Sequence, residues 1–225
     1  MLPSIKTELT AAAKKVLPRW FIEYFAVYRH FPPPERALYR RLWVRQALAI
    51  SGASDRRAPR SARALVFVCY GNIMRSPMAA ALLGLMLSGE LRDQFRVVSA
   101  GLHANPNQAA DPRSLRIAPE FGVNLDDHRS RPLTRQMVAE ADAVFAMDRR
   151  NRVEFLMLYP EAEAKLFMLG AYAVPKLSEI PDPFMGDEED LRRCYRDLEV
   201  CLRNLVRDLS GGVDRGEPGA AEVER

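Results

Sequence analysis

Ala64-Leu65-Val66-Phe67-Val68-Cys69-Tyr70-Gly71-Asn72-Ile73-Met74-Arg75-Ser76-Pro77 is the stretch on which the fold turns. Its first five residues are apolar and suit a buried strand that ends at Cys69. Gly71-Asn72 follows as a loop in which positive φ is expected. Ser76-Pro77 then opens a helix expected over residues 77–88. A strand, a glycine-containing loop and a helix start aim backbone N–H groups at one point, which makes a phosphate-binding loop. A cysteine at its floor sits in a positive field that favours the thiolate, the nucleophilic form.

Spacing alone does not carry this reading. Arg207 follows Cys201 by six positions, just as Arg75 follows Cys69. They fall inside a helical pattern, 187–209, with no strand before them and no glycine between them. A helix would set the two side chains far apart around its axis. The preceding strand, the Gly-Asn loop and the following helix distinguish Cys69.

Outward from this stretch, strands are expected at 64–69, 95–99, 142–147 and 165–169, and helices at 77–88, 111–121, 134–141, 149–158 and 187–209. Such alternation predicts an α/β three-layer sandwich: a four-stranded parallel sheet with helices on both faces. Ligands in such sheets bind at the carboxyl ends of strands, where Cys69 falls. Residues 1–50 read as a basic helical extension, 51–63 as a polar linker, 64–209 as the main domain and 210–225 as a disordered tail. In the extension, one helix is expected at 5–17, an aromatic face at Trp20, Tyr24 and Tyr28, and a helix from Glu35 to about Ile50 after Pro32-Pro33-Pro34.

Composition narrows the function classes. The chain has 225 residues, 48% of them hydrophobic, which is enough for a real core. No apolar run approaches membrane-spanning length, and no signal-peptide pattern opens the chain. Three cysteines argue against a disulfide framework and for a reducing cytoplasm. His30, His103 and His128 lack zinc-site spacing, so no metal and no cofactor are expected. Residues 1–60 hold 12 Lys+Arg against 4 Asp+Glu, leaving 21 against 25 in the remainder. This is a basic arm on a mildly acidic body, without the basic stripe that nucleic acid requires. Three readings of the arm stand: a helical pair packed on the body, a dimer or partner contact, and peripheral attachment to anionic membrane.

Displacing a phosphoryl group with a thiolate requires donors for three spectator oxygens. Loop amides and the planar fork of Arg75 supply them. The leaving oxygen must be protonated, and the best acid is Asp182 in Glu-Ile-Pro-Asp-Pro-Phe, in a proline-stiffened loop beside Ile180 and Phe184. Asp148 reads as a helix N-cap. The loop motif, Ser99-Ala100-Gly101, Asp127-His128-Arg129-Ser130-Arg131, Ala146-Met147-Asp148 with Asn151, and Asp182-Pro183-Phe184 resemble, in order, the low-molecular-weight protein-tyrosine phosphatases over about residues 64 to 209.

That resemblance implies hydrolysis of phosphotyrosine in proteins through a cysteinyl phosphate. Cys69 would be the nucleophile, Arg75 the phosphate clamp and Asp182 the general acid, then base. Tyr70, Gly71, Asn72, Ile73 and Met74 would form the phosphate loop, with Ser76 stabilising the Cys69 thiolate. Asn72 would hold its strained turn through Ser99 and His128. Tyr70 and Phe184 would wall the substrate ring. Two departures stand out: Met74 occupies a position where the family often has a second cysteine, and Asn105-Pro106-Asn107 lacks an aromatic wall residue sometimes found there. Two other readings differ in class. A thiol-linked arsenate reductase of the same fold would use Cys194 and Cys201 as relay thiols, although they follow Asp182 rather than precede it. A phosphotyrosine-binding adaptor would leave the site without turnover.

Overall fold

The computed structural model describes residues 28, 31–47, 57–87, 89–175, 177 and 179–210. Four strands, β1 (Ala64–Cys69), β2 (Arg96–Gly101), β3 (Ala143–Ala146) and β4 (Leu166–Met168), pair in the order β2-β1-β3-β4, all parallel. The chain passes from β1 to β2 on one side, then crosses β1 to begin β3 on the other. The crevice of such a sheet lies where the strand order reverses, at the carboxyl ends of β1 and β3. Cys69 ends the first of these strands and Met147-Asp148 follows the second.

Alternation along the strands divides the core into two layers. Leu65, Phe67 and Cys69 of β1, with Ala143 and Phe145 of β3, join one cluster with Met78, Leu82 and Leu83 of α2 (Arg75–Met86). The same cluster takes Leu191, Leu198, Leu202 and Leu205 of α7 (Glu188–Leu209). Phe67 stacks on Phe145 at 5.2 Å between centroids. Val66, Val68, Val144 and Ala146 point the other way and are equally buried, on the face where α5 (Arg135–Glu140) meets β1 and α6 (Arg149–Leu158) meets β3. The α/β sandwich read from sequence is the fold.

Between these elements lie α3 (Glu90–Asp93) and α4 (Pro112–Ile117). The helix expected over 111–121 is α4 followed by a 3-10 turn, Ala118–Phe121. Pro119 has no N–H for the α-helical ladder, so the end tightens. It closes on Gly122 in the left-handed conformation at φ 73°. Helix α2 begins two residues before the expected 77, because a proline is tolerated in a first turn.

The chain divides into two compact units, Met1–Ile50 and Ser51–Arg225. In the first, α1 (Pro33–Ala47) starts on a proline rather than after the proline run, as its fixed φ allows. Phe31 packs on Tyr39 at 5.4 Å, and the Arg36 guanidinium lies 5.5 Å from the Tyr28 ring. The helix expected at 5–17 and the Trp20-Tyr24 face lie outside the described residues, as do 51–56 of the expected linker and 211–225 of the expected tail.

Residues 57–63 differ from the expected linker. Ala58 and Ala62 are buried, Ala58 N donates to Tyr172 Oη at 2.7 Å, and the Arg63 and Ala64 amides donate to Asp142 Oδ2. Arg57 pairs with Asp208 on α7 at 2.7 Å. Small and polar side chains suit a packed strap as well as a free one, so composition misled here. Among the described residues, no helix is long and apolar enough to cross a membrane.

Candidate active site

Cys69 leaves β1 buried, and the chain turns around its sulfur. Asn72 N–H donates to Sγ at 3.3 Å, and Ser76 Oγ lies 3.0 Å from it. The positive φ expected in the Gly71-Asn72 loop falls at Asn72 (55°). An asparagine tolerates that conformation when its side chain is held. Here Nδ2 donates to Ser76 Oγ at 2.9 Å and Ser99 Oγ at 3.0 Å, and Oδ1 accepts from Arg131 N–H at 3.0 Å. Its carbonyl faces His128 Nε2 at 2.7 Å. Desolvation, then the cations of Arg131 and Arg129, hold His128 below its ordinary value, although the bond to Asn72 works the other way. The neutral ring therefore donates through Nε2, and His128 supports the loop from behind.

The Ser76 oxygen accepts from Asn72, which leaves its hydrogen for the sulfur or for the Ala100 carbonyl at 3.3 Å. Sulfur is the nearer acceptor, and a thiolate is the stronger one. Among the described residues, the N–H groups of Gly71, Ile73 and Met74 donate to no protein acceptor. They leave three free donors around the cysteine.

The second strand fixes the loop's height. Leu102 N–H and His103 N–H donate to the carbonyls of Cys69 and Tyr70, both at 2.9 Å. A β-carbon on Gly101 would stand 2.9 Å from Asn72 N and from Tyr70 O. The seam admits glycine only.

Arg75 is 2% exposed and spans the site. Its Nη1 donates to Asp148 Oδ2 at 2.5 Å and to the Ile180 carbonyl at 3.2 Å; its Nη2 donates to Asp182 Oδ2 at 2.5 Å. Burial works against its charge, but Asp148, Asp182 and Cys69 outweigh that and hold it above the ordinary guanidinium value. The loop that carries Asp182 is pinned to the end of β3 by Ile180 N–H donating to the Met147 carbonyl at 2.7 Å. Asp182 also caps the short turn Pro183–Met185 through Phe184 N–H. Two segments more than 100 residues apart thus meet on one guanidinium.

A cleft of about 560 Å³ opens above Cys69. Tyr70, Ile73, Met74 and Phe184 line it, with His103, Asn105, Arg150 and Met185 toward the rim. Tyr70 and Phe184 are 40% and 52% exposed and stand ready to flank a ring. Cys69, Tyr70, Gly71, Asn72, Ile73, Met74, Arg75, Ser76, Ser99, His128, Asp182 and Phe184 are therefore gathered in one place. Asn105, where the aromatic wall was expected to be missing, is held by Ser130 Oγ donating to its carbonyl. Among the described residues, no group of His, Cys, Asp and Glu could hold a metal.

Sequence reasoning missed two partners. Asp148 is an N-cap, accepting from Asn151 N–H at 2.7 Å on Oδ1, but its other oxygen holds Arg75. Counting both carboxylate oxygens would have exposed the second role. Arg113 was one of 28 arginines with no motif around it. It pairs with Asp111, the N-cap of α4, and donates to the carbonyls of Phe184 at 3.0 Å and Gly186 at 2.9 Å. Asp111 N–H in turn donates to the Ile73 carbonyl. This chain of bonds ties the Asp182 loop to the turn around Cys69. No local signal in the sequence could have found it.

The family model for low molecular weight phosphotyrosine protein phosphatase matches residues 64–214. The low molecular weight protein-tyrosine-phosphatase Etp of Escherichia coli is 32% identical over 146 residues, 65% of this chain and 94% of that protein. A protein-arginine-phosphatase of Bacillus subtilis is 33% identical over 145 residues, 64% of this chain and 95% of that protein. Among solved structures, a protein tyrosine phosphatase of Entamoeba histolytica aligns with a TM-score of 0.62 and 33% identity, over 67% of this chain and 98% of that one. The arginine phosphatase YwlE of Geobacillus stearothermophilus aligns at 0.60 and 32%, over 66% and 93%. The chain belongs to the low molecular weight phosphotyrosine protein phosphatase family.

Proposed function

We propose that this chain is a cytoplasmic phosphatase that hydrolyses phosphotyrosine in proteins, with residues 64–209 carrying the activity. The observation that supports this most is Cys69 Sγ lying under three free loop amides, beside Ser76, with Arg75 and Asp182 on the open side.

In this reading the Cys69 thiolate attacks phosphorus in line and the ester bond breaks. Asp182 gives its proton to the leaving tyrosine oxygen, and a cysteinyl phosphate remains. The Arg75 fork and the loop amides hold the three spectator oxygens throughout, and most of the acceleration comes from that fixed arrangement. Asp148 keeps the guanidinium in place as Asp182 moves from Arg75 to the leaving group. Water then attacks the cysteinyl phosphate, Asp182 takes its proton, and phosphate departs.

Relatives act on two phosphorylated side chains, tyrosine and arginine. The cleft favours the aryl group: Tyr70, Ile73 and Phe184 present apolar surface where the ester would lie, and Arg150 at the rim would repel a second guanidinium. The arsenate-reductase reading lacks support, because burial pushes both Cys194 and Cys201 up to about 12, too high for relay thiolates near neutral pH. An adaptor would not need Cys69 and Asp182 together.

Hydrolysis of matched phosphotyrosine and phosphoarginine peptides, with Cys69→Ser as control, tests the proposal. Preference for the aryl peptide and loss of turnover in the variant are expected. Equal turnover by Cys69→Ser would overturn the mechanism.

A further inference from the structure

Two basic side chains lie against Tyr70, the wall nearest the nucleophile. The Arg150 guanidinium carbon is 4.6 Å from the Tyr70 ring centroid. The His103 ring packs on the same ring at 4.7 Å, tilted by 30°. Glu154, one turn along α6 from Arg150, anchors both. Its Oε1 accepts from Arg150 Nε at 2.8 Å, and its Oε2 lies 3.3 Å from His103 Nε2. The Glu154 side chain is 9% exposed, whereas those of Arg150 and His103 are 49% and 47% exposed. A buried carboxylate thus holds both side chains at the cleft rim.

Only one edge of Arg150 is used in this way. Among the described residues, its hydrogen bonds go through Nε, and its two terminal nitrogens donate to no protein acceptor. The side of a guanidinium that grips a carboxylate with two parallel bonds is therefore free. Among the described residues, Asp182 is the one acidic residue lining the cleft, and it pairs with Arg75. On the opposite wall the Arg113 guanidinium also lies over an aromatic ring, 5.9 Å from that of Phe184, but its Nε, Nη1 and Nη2 are all taken by Asp111 and the carbonyls of Gly186 and Phe184, so of the two only Arg150 has a free fork to offer.

We propose that Arg150, backed by His103 and positioned by Glu154, is a second anion subsite. It takes the carboxylate of an acidic residue neighbouring the phosphotyrosine in the substrate polypeptide. The subsite rests on the phosphatase reading and sharpens it: the favoured substrates are phosphotyrosine sites with acidic neighbours. Arg150 and His103 act on which substrate binds, not on the bond that breaks.

The test compares phosphotyrosine peptides that differ only in carrying Glu, Ala or Lys at positions flanking the tyrosine. The expected kcat/KM ratio of the Glu to the Lys peptide is about three- to tenfold at low ionic strength, shrinking in high salt. Arg150→Gln brings that ratio to about one. Equal kcat/KM values in the wild type, or a ratio that survives Arg150→Gln, overturn the subsite. So does a loss in Arg150→Gln that is equal for all three peptides, since that would mean Arg150 only packs the wall. Affinities of the same peptides for the Cys69→Ser variant report the ratio without turnover. An absence of hydrolysis by the wild type would thus sink the phosphatase reading while leaving the subsite open to its own test.

Discussion

Cys69 and Cys201 make an instructive pair, because an arginine follows each at the same distance and, of the two pairs, only Cys69 and Arg75 line the cleft. Cys69 ends a strand, so the backbone after it is free to wrap its sulfur and return Arg75 to the open side. Cys201 lies mid-helix on α7, fully buried against the sheet, while Arg207 points to solvent. In the first pair, the backbone after the cysteine supplies donors; in the second, every amide is committed to the helix. A sulfur becomes a nucleophile through what the neighbouring amides are free to do.

The largest way to break this comparison is to exchange the sulfurs for oxygens. Cys69→Ser should reduce hydrolysis of p-nitrophenyl phosphate by at least about 10³-fold, whereas Cys201→Ser should keep the rate and lower only the melting temperature. Retention of rate by Cys69→Ser would erase the distinction. Next, Asp182→Ala should cut kcat by about 10²- to 10⁴-fold for a peptide substrate, as loss of a general acid does. Arg207→Ala should leave stability within about 0.5 kcal/mol, as for an exposed site without partners.

Chemical labelling sharpens the same contrast. Cys194 and Cys201 are raised to about 12 by burial, so they remain thiols at pH 8. Iodoacetamide should alkylate Cys69 first, read by peptide mass spectrometry, and alkylation of Cys201 at a similar rate would contradict the burial argument. Peroxide should inactivate the chain with poor recovery on adding thiol. Met74 lies in the phosphate loop where a partner cysteine would be needed, and Cys69 has no disulfide to shelter in. Full recovery would count against this.

The smallest effect concerns His128. Its value is held below the ordinary 6.5, so the unfolded chain takes up the proton first as pH falls. The stability this group contributes is present above about 6.5 and lost below it. Urea midpoints from pH 8 to 5 should fall more steeply for the wild type than for His128→Gln.

Strands and helices of the main unit were largely legible, since apolar runs and 3.6-residue periods are local properties. The phosphate loop was legible for the same reason: its residues lie consecutively in one turn. Asp182 needed the family resemblance, because nothing local distinguishes an acid loop from any Asp-Pro turn. Asp148 was half legible, as a cap whose second oxygen went uncounted. Arg113 and Arg150 act across 71 and 80 positions, on Phe184 and Tyr70 respectively, and a side chain's partner at that range is a property of the fold. The strap at 57–63 was misjudged because small residues fit both packed and free backbone.

Gly101 carries a further consequence. It touches no substrate and bears no side chain, yet it sets how closely the second strand can nest under the nucleophile's loop. The contact makes the catalytic turn and the sheet edge a single rigid joint. A methyl group there would stand 2.8 Å from the Ala104 β-carbon and 2.9 Å from two backbone atoms of the turn, forcing a shift large enough to spoil an in-line trajectory. The smallest residue in the neighbourhood is the one with the least room to vary, and Gly101→Ala would disturb the turn and the strand together.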